Sequence, residues 1–544
     1  MTIGEALVQY LEARGIEVIF GIPGVHTIEL YRGLAKSKIR HITARHEQGV
    51  GFMADSYARV SGKVGVAFVI TGPGITNMLT PMAQARADSV PLLVISGVNE
   101  AGSQGLGHGY LHELPDQLSL CAQVAKTATE IREASALVPC LDQAFTDFTT
   151  LRPAPIHVQI PTNVMKLPFA ELIEDTPATA DSSAMADASG FESQLNDAVA
   201  RLLKSKKTVI LTGGGAKHCD TALRNLAETL AAPVVLTTNG RGLMHQHPLC
   251  VPASPSLEAV RELIRKADCV LAVGTEIGHT DYDAYRDNGF PEIAQLIRID
   301  ISTEQLTQKP AAVGLQGDSQ AVLSDLQASL DAANKTSNQN KDLVLKRFDE
   351  ATARAADTRA KAQASLSDVY QGHISILNTL RDCYPDTYFI GDSTQLIYAG
   401  GMYYDHDRPG GWFNAATGFG ALGYAIPAAI GAALAKPKQR IVCICGDGGA
   451  QFTLPELMTA VQETLNITFV IWNNRGYLEI ESSMASAGIE VVGCDPQPPV
   501  FEYIAKACGI TFTSCSNSSE TLVEAIDSLS KVSGPTMIEI KAFQ

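Results

Sequence analysis

The chain has 544 residues, enough for three or four domains at about 150 residues each. Hydrophobic residues make up 45% and charged residues 18%, a balance that excludes a disordered or fibrous chain. A formal net charge of −16 excludes bulk binding to nucleic acid or an anionic membrane, and leaves room for a small phosphorylated ligand neutralised by a metal ion and backbone amides.

Apolar β-branched runs predict strands at 16–20, 39–43, 64–70 and 92–96, with helical spacing between them. No apolar run approaches the ~20 residues of a membrane span; the best, 64–70, stops at Gly72-Pro73-Gly74. The N-terminus lacks a basic stretch followed by an apolar core, so a soluble, cytoplasmic protein is expected. Residues 174–190 break the alternation with Asp, Thr, Ala and Ser and read as a linker. A second α/β unit follows, with strands at 208–212, 234–237, 269–273 and 296–299. The polar, Ala- and Lys-rich stretch 331–367 reads as partly helical and connecting, before a third unit with strands at 388–390, 440–445, 467–472 and 536–540. Alternation of this kind makes parallel sheets covered on both faces, so three doubly wound α/β domains are expected. The eleven cysteines are scattered without a Cys-x-x-Cys, which predicts reduced, buried thiols and no zinc site.

The chemistry concentrates in the third unit. The strand 440–445 ends in Gly446-Asp447-Gly448-Gly449, and the strand 467–472 ends in Asn473-Asn474, with 24 residues between Gly448 and Asn473. In a strand-helix-strand unit both tips emerge on the same carboxyl edge, so Asp447 and Asn474 converge as hard oxygen ligands suited to Mg²⁺ or Ca²⁺. Gly446 and Gly448 are expected to let the backbone turn tightly, and the helix start behind them suits a phosphate. Gly-Asp-Gly alone is an ordinary strand-to-helix turn; its pairing with Asn-Asn one crossover later gives it chemical meaning.

In these residues the chain resembles the thiamine diphosphate (ThDP) enzyme superfamily, whose signature is Gly-Asp-Gly, some two dozen residues, then Asn-Asn. The resemblance runs over essentially the whole chain. It implies that Asp447, Asn474 and the main-chain carbonyl of Gly476 hold Mg²⁺ on the diphosphate, with Gly446, Gly448, Gly449 and Tyr477 beside it. It also implies a catalytic glutamate after the second strand, and Glu47 of Arg45-His46-Glu47 occupies that place. Such a glutamate hydrogen-bonds N1′ of the aminopyrimidine and promotes the imino tautomer, whose N4′ group takes the thiazolium C2 proton. A glutamate in a first helical turn is ordinarily a solvated, dipole-favoured residue. Its place after Phe20-Gly21-Ile22-Pro23-Gly24 and before Gly72-Pro73-Gly74 selects the catalytic role. Pro23, Gly72 and Asn77 are expected around the cofactor.

The run Ala416-Thr417-Gly418-Phe419-Gly420-Ala421-Leu422-Gly423-Tyr424 is similar to the family segment that grips the middle of the cofactor. Leu422 falls where an aliphatic side chain wedges between the two rings, and Gly420 where a carbonyl accepts from N4′. Asp392, Ser393, Thr394 and Gln395 match the loop that contacts the diphosphate. The implied domains are a pyrimidine-binding domain at 1–173, a middle Rossmann-like domain at 190–330, a linker at 331–367 and a diphosphate-binding domain at 368–544. This order resembles acetohydroxyacid synthase, pyruvate oxidase and the 2-oxo acid decarboxylases, and it implies a homodimer at least, or a homotetramer, with active sites between subunits. Gly213-Gly214-Gly215 is similar to an FAD-binding segment of the synthases. The turn Gly274-Thr275-Glu276-Ile277-Gly278, however, lacks their Arg-Phe-Asp-Asp pattern and argues against FAD.

Where synthases carry Phe-Gln-Glu this chain has Leu111-His112-Glu113. Histidine in this neighbourhood of some decarboxylases relays a proton to the reacting carbon, whereas a loop histidine otherwise sits at the surface. After Asn474, Leu478 replaces a family glycine, and Glu479 and Glu481 offer carboxylates to a cationic substrate tail unless they are merely solvated. Together with Trp412-Phe413-Asn414-Ala415-Ala416-Thr417, the 111–117 segment most resembles the bacterial 5-guanidino-2-oxopentanoate (2-ketoarginine) decarboxylases. The expected activity is ThDP- and Mg²⁺-dependent, non-oxidative decarboxylation of a 2-oxo acid to an aldehyde. A carboligase of the acetolactate synthase type, a transferase joining two 2-oxo acids, is the alternative. A non-catalytic ThDP-binding homologue is weakened by the presence of both Glu47 and the metal pair. A nicotinamide dehydrogenase is weaker still, because no Gly-x-Gly-x-x-Gly follows the first strand of any unit.

Overall fold

The computed structural model describes residues 1–170, 188–282, 290–309, 311–336 and 341–543. The linker expected at 174–190 lies outside the described residues except at 188–190, which already open the helix Ala188–Lys204.

Three six-stranded sheets carry the fold, and every pairing within them is parallel. The first comprises β1 (Val18–Gly21), β2 (Arg40–Thr43), β3 (Gly65–Val69), β4 (Leu92–Val98), β5 (Thr127–Glu130) and β6 (Ile156–Pro161), in the order β2-β1-β3-β4-β6-β5. The second comprises β7 (Thr208–Thr212), β8 (Val234–Leu236), β9 (Cys250–Val251), β10 (Cys269–Val273), β11 (Leu296–Asp300) and β12 (Val313–Gln316), in the order β12-β11-β10-β7-β8-β9. The third comprises β13 (Phe389–Gly391), β14 (Trp412–Asn414), β15 (Ile441–Gly446), β16 (Ile467–Asn473), β17 (Thr511–Ser516) and β18 (Thr536–Lys541), in the order β14-β13-β15-β16-β18-β17. The first and third sheets therefore share one topology, and the middle sheet reverses its strand order between β7 and β10.

Central strands such as β3, β15 and β16 are buried along their whole length, as parallel strands covered by helices on both faces must be. The strands that composition did not announce have physical reasons for their disguise. β5 and β17 lie at sheet edges, face water on part of their length and are written in Thr, Ser and Glu. β6 is fully buried yet contains His157 and Gln159, which a polar network engages in part: Ser96 Oγ lies 2.8 Å from His157 Nε2, Gln117 Nε2 donates to Gln159 Oε1 at 3.1 Å, and His157 Nδ1 stays unpartnered. Burial holds His157 neutral, with its pKa pushed down to about 3.

The helices include α1 (Glu47–Ser61), α2 (Pro73–Ala87), α3 (Lys341–Ala364), α4 (Ala425–Ala435), α5 (Asp447–Gln451) and α6 (Leu478–Ser486). The stretch 331–367, expected to be partly helical and connecting, holds α3, and α3 is packed. Ala351, Ala355, Thr358 and Ala362 recur at helical spacing and are buried against the middle sheet, a stripe that the polar composition conceals. The first and third units meet along α1 and α4. Arg59 is buried there between Asp55 and Asp88, both at 2.7 Å, and Tyr424 Oη donates to Asp55 at 2.6 Å. All eleven cysteines are free, with Cys443 and Cys445 buried side by side along β15.

Candidate active site

Parallel register decides where the diphosphate-side residues stand. Gly446 at the end of β15 pairs with Trp472 of β16, so Asp447 and Asn474 leave adjacent strand tips together. Asp447 is 1% exposed, and its Oδ1 accepts the Asn474 N–H at 3.3 Å. Its Oδ2 is buried and accepts no hydrogen bond. Desolvation raises the Asp447 pKa above the ordinary carboxylate range. An orphaned, desolvated carboxylate oxygen of this kind is what a divalent cation satisfies. Asn474 Nδ2 donates to Gln395 Oε1 at 3.0 Å, which fixes the end of the amide that carries the oxygen. Trp472 Nε1 donates to the same Gln395 oxygen at 3.0 Å, so Gln395 acts by orienting Asn474. The orphaned Asp447 carboxylate oxygen and the Asn474 amide oxygen, which accepts the Gly476 N–H at 3.2 Å, are hard oxygen donors of the kind Mg²⁺ takes.

The glycines matter here for space rather than for turning. Gly446 is extended, with φ −76°. A Cβ on it would lie 2.9 Å from Thr394 Oγ1, and one on Gly448 would lie 2.5 Å from the Tyr477 ring. The expectation of a tight glycine turn is thus replaced by close packing of Thr394 and Tyr477 on the strand tip. Gly449 approaches the Asp392 carboxyl, and Gly476 approaches the Cys494 carbonyl.

Asp392 has a different place from the one expected. It is buried, its Oδ1 accepts the amides of Ser393 at 2.9 Å and Gly423 at 3.3 Å, and its Oδ2 accepts that of Ala425 at 3.2 Å. Burial pushes its pKa up to about 6. An anion so engaged clamps the loop before α4 instead of facing a diphosphate. Thr453 grips the same loop from below, its Oγ1 donating to the Gly423 carbonyl at 2.9 Å. The clamped loop presents Gly420, with φ +74°, and the half-buried Leu422. Ser393 remains half-exposed at the rim.

The second half-site lies at the carboxyl edge of the first sheet. Glu47 opens α1, and Asn77 of α2 donates Nδ2 to its Oε2 at 3.0 Å, so these two expected residues touch. Gly72 starts α2 with φ +61°, and a Cβ there would lie 2.7 Å from the main chain and Cβ of His112. Gln117 Oε1 accepts from Thr71 Oγ1 at 2.6 Å and from the Gly72 N–H at 3.4 Å, tying the loop that carries His112 onto that turn. His112 is half-buried with its Nδ1 unpartnered, and Pro23 is exposed at the same edge. Sequence reasoning missed His26. Its buried ring lies 5.4 Å from that of His112, and its Nδ1 is also unpartnered. Burial, with His112 alongside, holds His26 below the usual imidazole range. The available signal was its position two residues past Gly24, at the tip of the first strand.

Glu479 and Glu481 do not act as a pair. Two residues apart on α6 they point about 200° away from each other. Glu479 is half-buried and its charge helps raise the Tyr398 phenol, whereas Glu481 is exposed. A crevice of about 400 Å³ opens where the strand-order reversal of the middle sheet, with Gly213, Gly215 and Gly274, faces Arg59 and Asp88 of the first unit and Trp412 and Phe413 of the third. Among the described residues its wall carries Asp88 paired with Arg59, Glu276 paired with Arg152, and Asp281, Asp300 and Asp318 with Lys217 and His218.

Two half-sites stand on twin sheets, one with the half-buried Glu47 touching Asn77 and one with Asp447 beside Asn474, the arrangement that the resemblance to ThDP enzymes implies. Family sequence models agree. The thiamine pyrophosphate enzyme N-terminal TPP binding domain matches residues 1–120, the central domain residues 195–326 and the C-terminal TPP binding domain residues 392–540. The chain belongs to the thiamine pyrophosphate enzyme family. It is 39% identical over 513 residues to the probable 2-ketoarginine decarboxylase AruI of Pseudomonas aeruginosa, covering 94% of this chain and 88% of that one. It is 28% identical over 545 residues to acetolactate synthase isozyme 1 large subunit of Escherichia coli, covering 99% and 93%. With the acetolactate synthase large subunit of Corynebacterium glutamicum the identity is 30% over 487 residues, covering 87% and 75%.

Proposed function

We propose that the protein decarboxylates a 2-oxo acid without oxidation, releasing an aldehyde, and that 5-guanidino-2-oxopentanoate is its substrate. Bound ThDP supplies the electron sink that lets such an acid lose CO₂. In this reading Asp447, Asn474 and the Gly476 carbonyl hold Mg²⁺ against the diphosphate, and Leu422 shapes the cofactor between its rings. Glu47, oriented by Asn77, holds the proton at N1′. The observation that carries the choice of product is the imidazole pair. His26 and His112 stand 5.4 Å apart at the edge that bears Glu47, each with a free ring nitrogen. A proton donor at that position delivers hydrogen to the reacting carbon before a second carbonyl can be joined to it. Glu479, the inward carboxylate of α6, is the partner for a guanidinium, and a charge-assisted bond there is worth about 1.5–3 kcal/mol, roughly 10- to 100-fold in selectivity.

The similarity to a protein named as a 2-ketoarginine decarboxylase supports the same reading, and the similarity to acetolactate synthases supports a carboligase as the second one. The turn Gly274-Thr275-Glu276-Ile277-Gly278, without the Arg-Phe-Asp-Asp pattern of the synthases, favours chemistry without FAD. Exposed apolar side chains beside both half-sites, Val25 and Ile28 on one and Phe419 and Phe452 on the other, support burial against a second chain in a homodimer or homotetramer. No helix among the described residues is long and apolar enough to cross a membrane, and the free thiols support a reducing, cytoplasmic setting.

The test is an assay of protein loaded with ThDP and Mg²⁺ against 5-guanidino-2-oxopentanoate and pyruvate, measuring CO₂, aldehyde and acetolactate separately. The guanidino acid is expected to give CO₂ and aldehyde in equal amounts, with kcat/KM roughly 10- to 100-fold above that for pyruvate. Acetolactate as the main product from pyruvate, without turnover of the guanidino acid, would promote the carboligase.

A further inference from the structure

The turn that presents Glu47 is held from outside its own domain. Arg45 and His46 precede α1, where backbone N–H groups lack helical partners. His46 caps the helix itself, its Nδ1 accepting the Gln48 N–H at 3.1 Å. The N–H groups of Arg45 and His46 instead reach Glu456 Oε1, at 2.9 and 3.0 Å. Glu456 lies in the segment that follows α5, nine residues after Asp447, and is 1% exposed. Its second oxygen accepts Thr459 Oγ1 at 2.6 Å, and Thr459 in turn accepts Arg45 Nη1 at 2.9 Å. Gly49 leaves no space for a side chain because the Glu456 carboxyl fills it.

We infer that Glu456 is a positioning residue for Glu47: a buried carboxylate from the third unit that fixes the main chain one and two residues before the catalytic glutamate. The inference rests on the assignment of Glu47 made above. A glutamate side chain has three rotatable bonds. Asn77 fixes its far end and Glu456 fixes the backbone from which it springs, so the two together define where the carboxylate stands. One oxygen takes both N–H donors, which the two lone pairs of a carboxyl or carboxamide oxygen allow, and the water-free setting strengthens both bonds.

The experiment compares Glu456→Ala, Glu456→Gln and Glu47→Gln. Amide hydrogen exchange across residues 43–49 is followed in the cofactor-free protein. The rate at which the C2 proton of bound ThDP exchanges with deuterium, and the ThDP affinity, are measured in the loaded protein. A misplacement near 1 Å costs roughly 100-fold in a positioned reaction, so Glu456→Ala is expected to free the 45–46 amides and to slow C2 exchange by roughly 10- to 100-fold, with ThDP affinity kept within a few-fold. Glu456→Gln keeps an acceptor oxygen and should recover most of that rate. If Glu456→Ala is too unstable to purify, Thr459→Val, which removes the bond orienting Glu456, is expected to give the same pattern in milder form. Unchanged amide exchange, or freed amides with wild-type C2 exchange, would overturn the positioning role alone. Wild-type C2 exchange in Glu47→Gln would overturn the Glu47 assignment, and this inference with it.

Discussion

Replacing Glu47 by glutamine lowers turnover by roughly 10²- to 10⁴-fold, the range typical of a lost general acid-base group. The substitution keeps the size of the side chain and its contact with Asn77 Nδ2, now made through the amide oxygen. What disappears is the ionisable proton position at N1′. Folding and ThDP affinity are therefore expected to stay near wild type, and the loss to fall on kcat. Steady-state kinetics beside calorimetric titration of ThDP checks this. Residual turnover within a few-fold of wild type would place the acid elsewhere.

Asp447→Ala acts on binding instead. Under the proposed assignment the metal would lose its anionic ligand and the diphosphate its link to the protein, so ThDP affinity in the presence of Mg²⁺ is expected to fall by roughly 100-fold or more, beyond what changes outside the ligand shell usually cost. The cofactor-free protein should not suffer in the same way. Asp447 Oδ2 is buried without a partner, and desolvation already disfavours its charge, so removing it relieves a cost. Urea unfolding of the apo variant is expected to show equal or greater stability, which separates a ligand defect from a folding defect. The raised pKa also means that protons compete with the metal, so wild-type affinity for Mg²⁺ with ThDP should weaken as the pH falls toward the carboxylate range. Chelation should abolish activity and added Mg²⁺ restore it. Unchanged ThDP binding in Asp447→Ala would move the metal site.

Much of this was legible in the sequence because parallel β/α units leave strong local marks. Continuous apolar strands such as β15 and β16, each ending in a polar cluster, locate their own carboxyl tips, and parallelism then brings Asp447 and Asn474 together without further information. The residues that were misread are those whose role is set by partners distant in sequence. Asp392 looks like a diphosphate contact but spends both oxygens on the loop before α4. Glu479 and Glu481 look like a pair until helical geometry separates them. His26 and Glu456 carry no motif, and Gln117 stands in the 111–117 segment without a role of its own. Each becomes meaningful only when folding sets it against His112, Gly72 or the Arg45–His46 turn. The alanine stripe of α3 was hidden by its polar neighbours, and edge strands β5 and β17 by their exposure.

The central claim is that Glu47 and Asp447 serve one ThDP site assembled from two chains. A hybrid in which one subunit carries Glu47→Gln and the other Asp447→Ala tests it most directly, with differently tagged subunits co-expressed and the mixed species isolated. Each parent oligomer is expected to be inactive, whereas the hybrid is expected to hold one site that combines an intact Glu47 from one chain with an intact Asp447 from the other. By the two-fold symmetry of such an interface the hybrid is predicted to recover about half of the wild-type activity per dimer. A purified hybrid as inactive as its parents, although wild-type subunits carrying the same tags are fully active, would contradict the account.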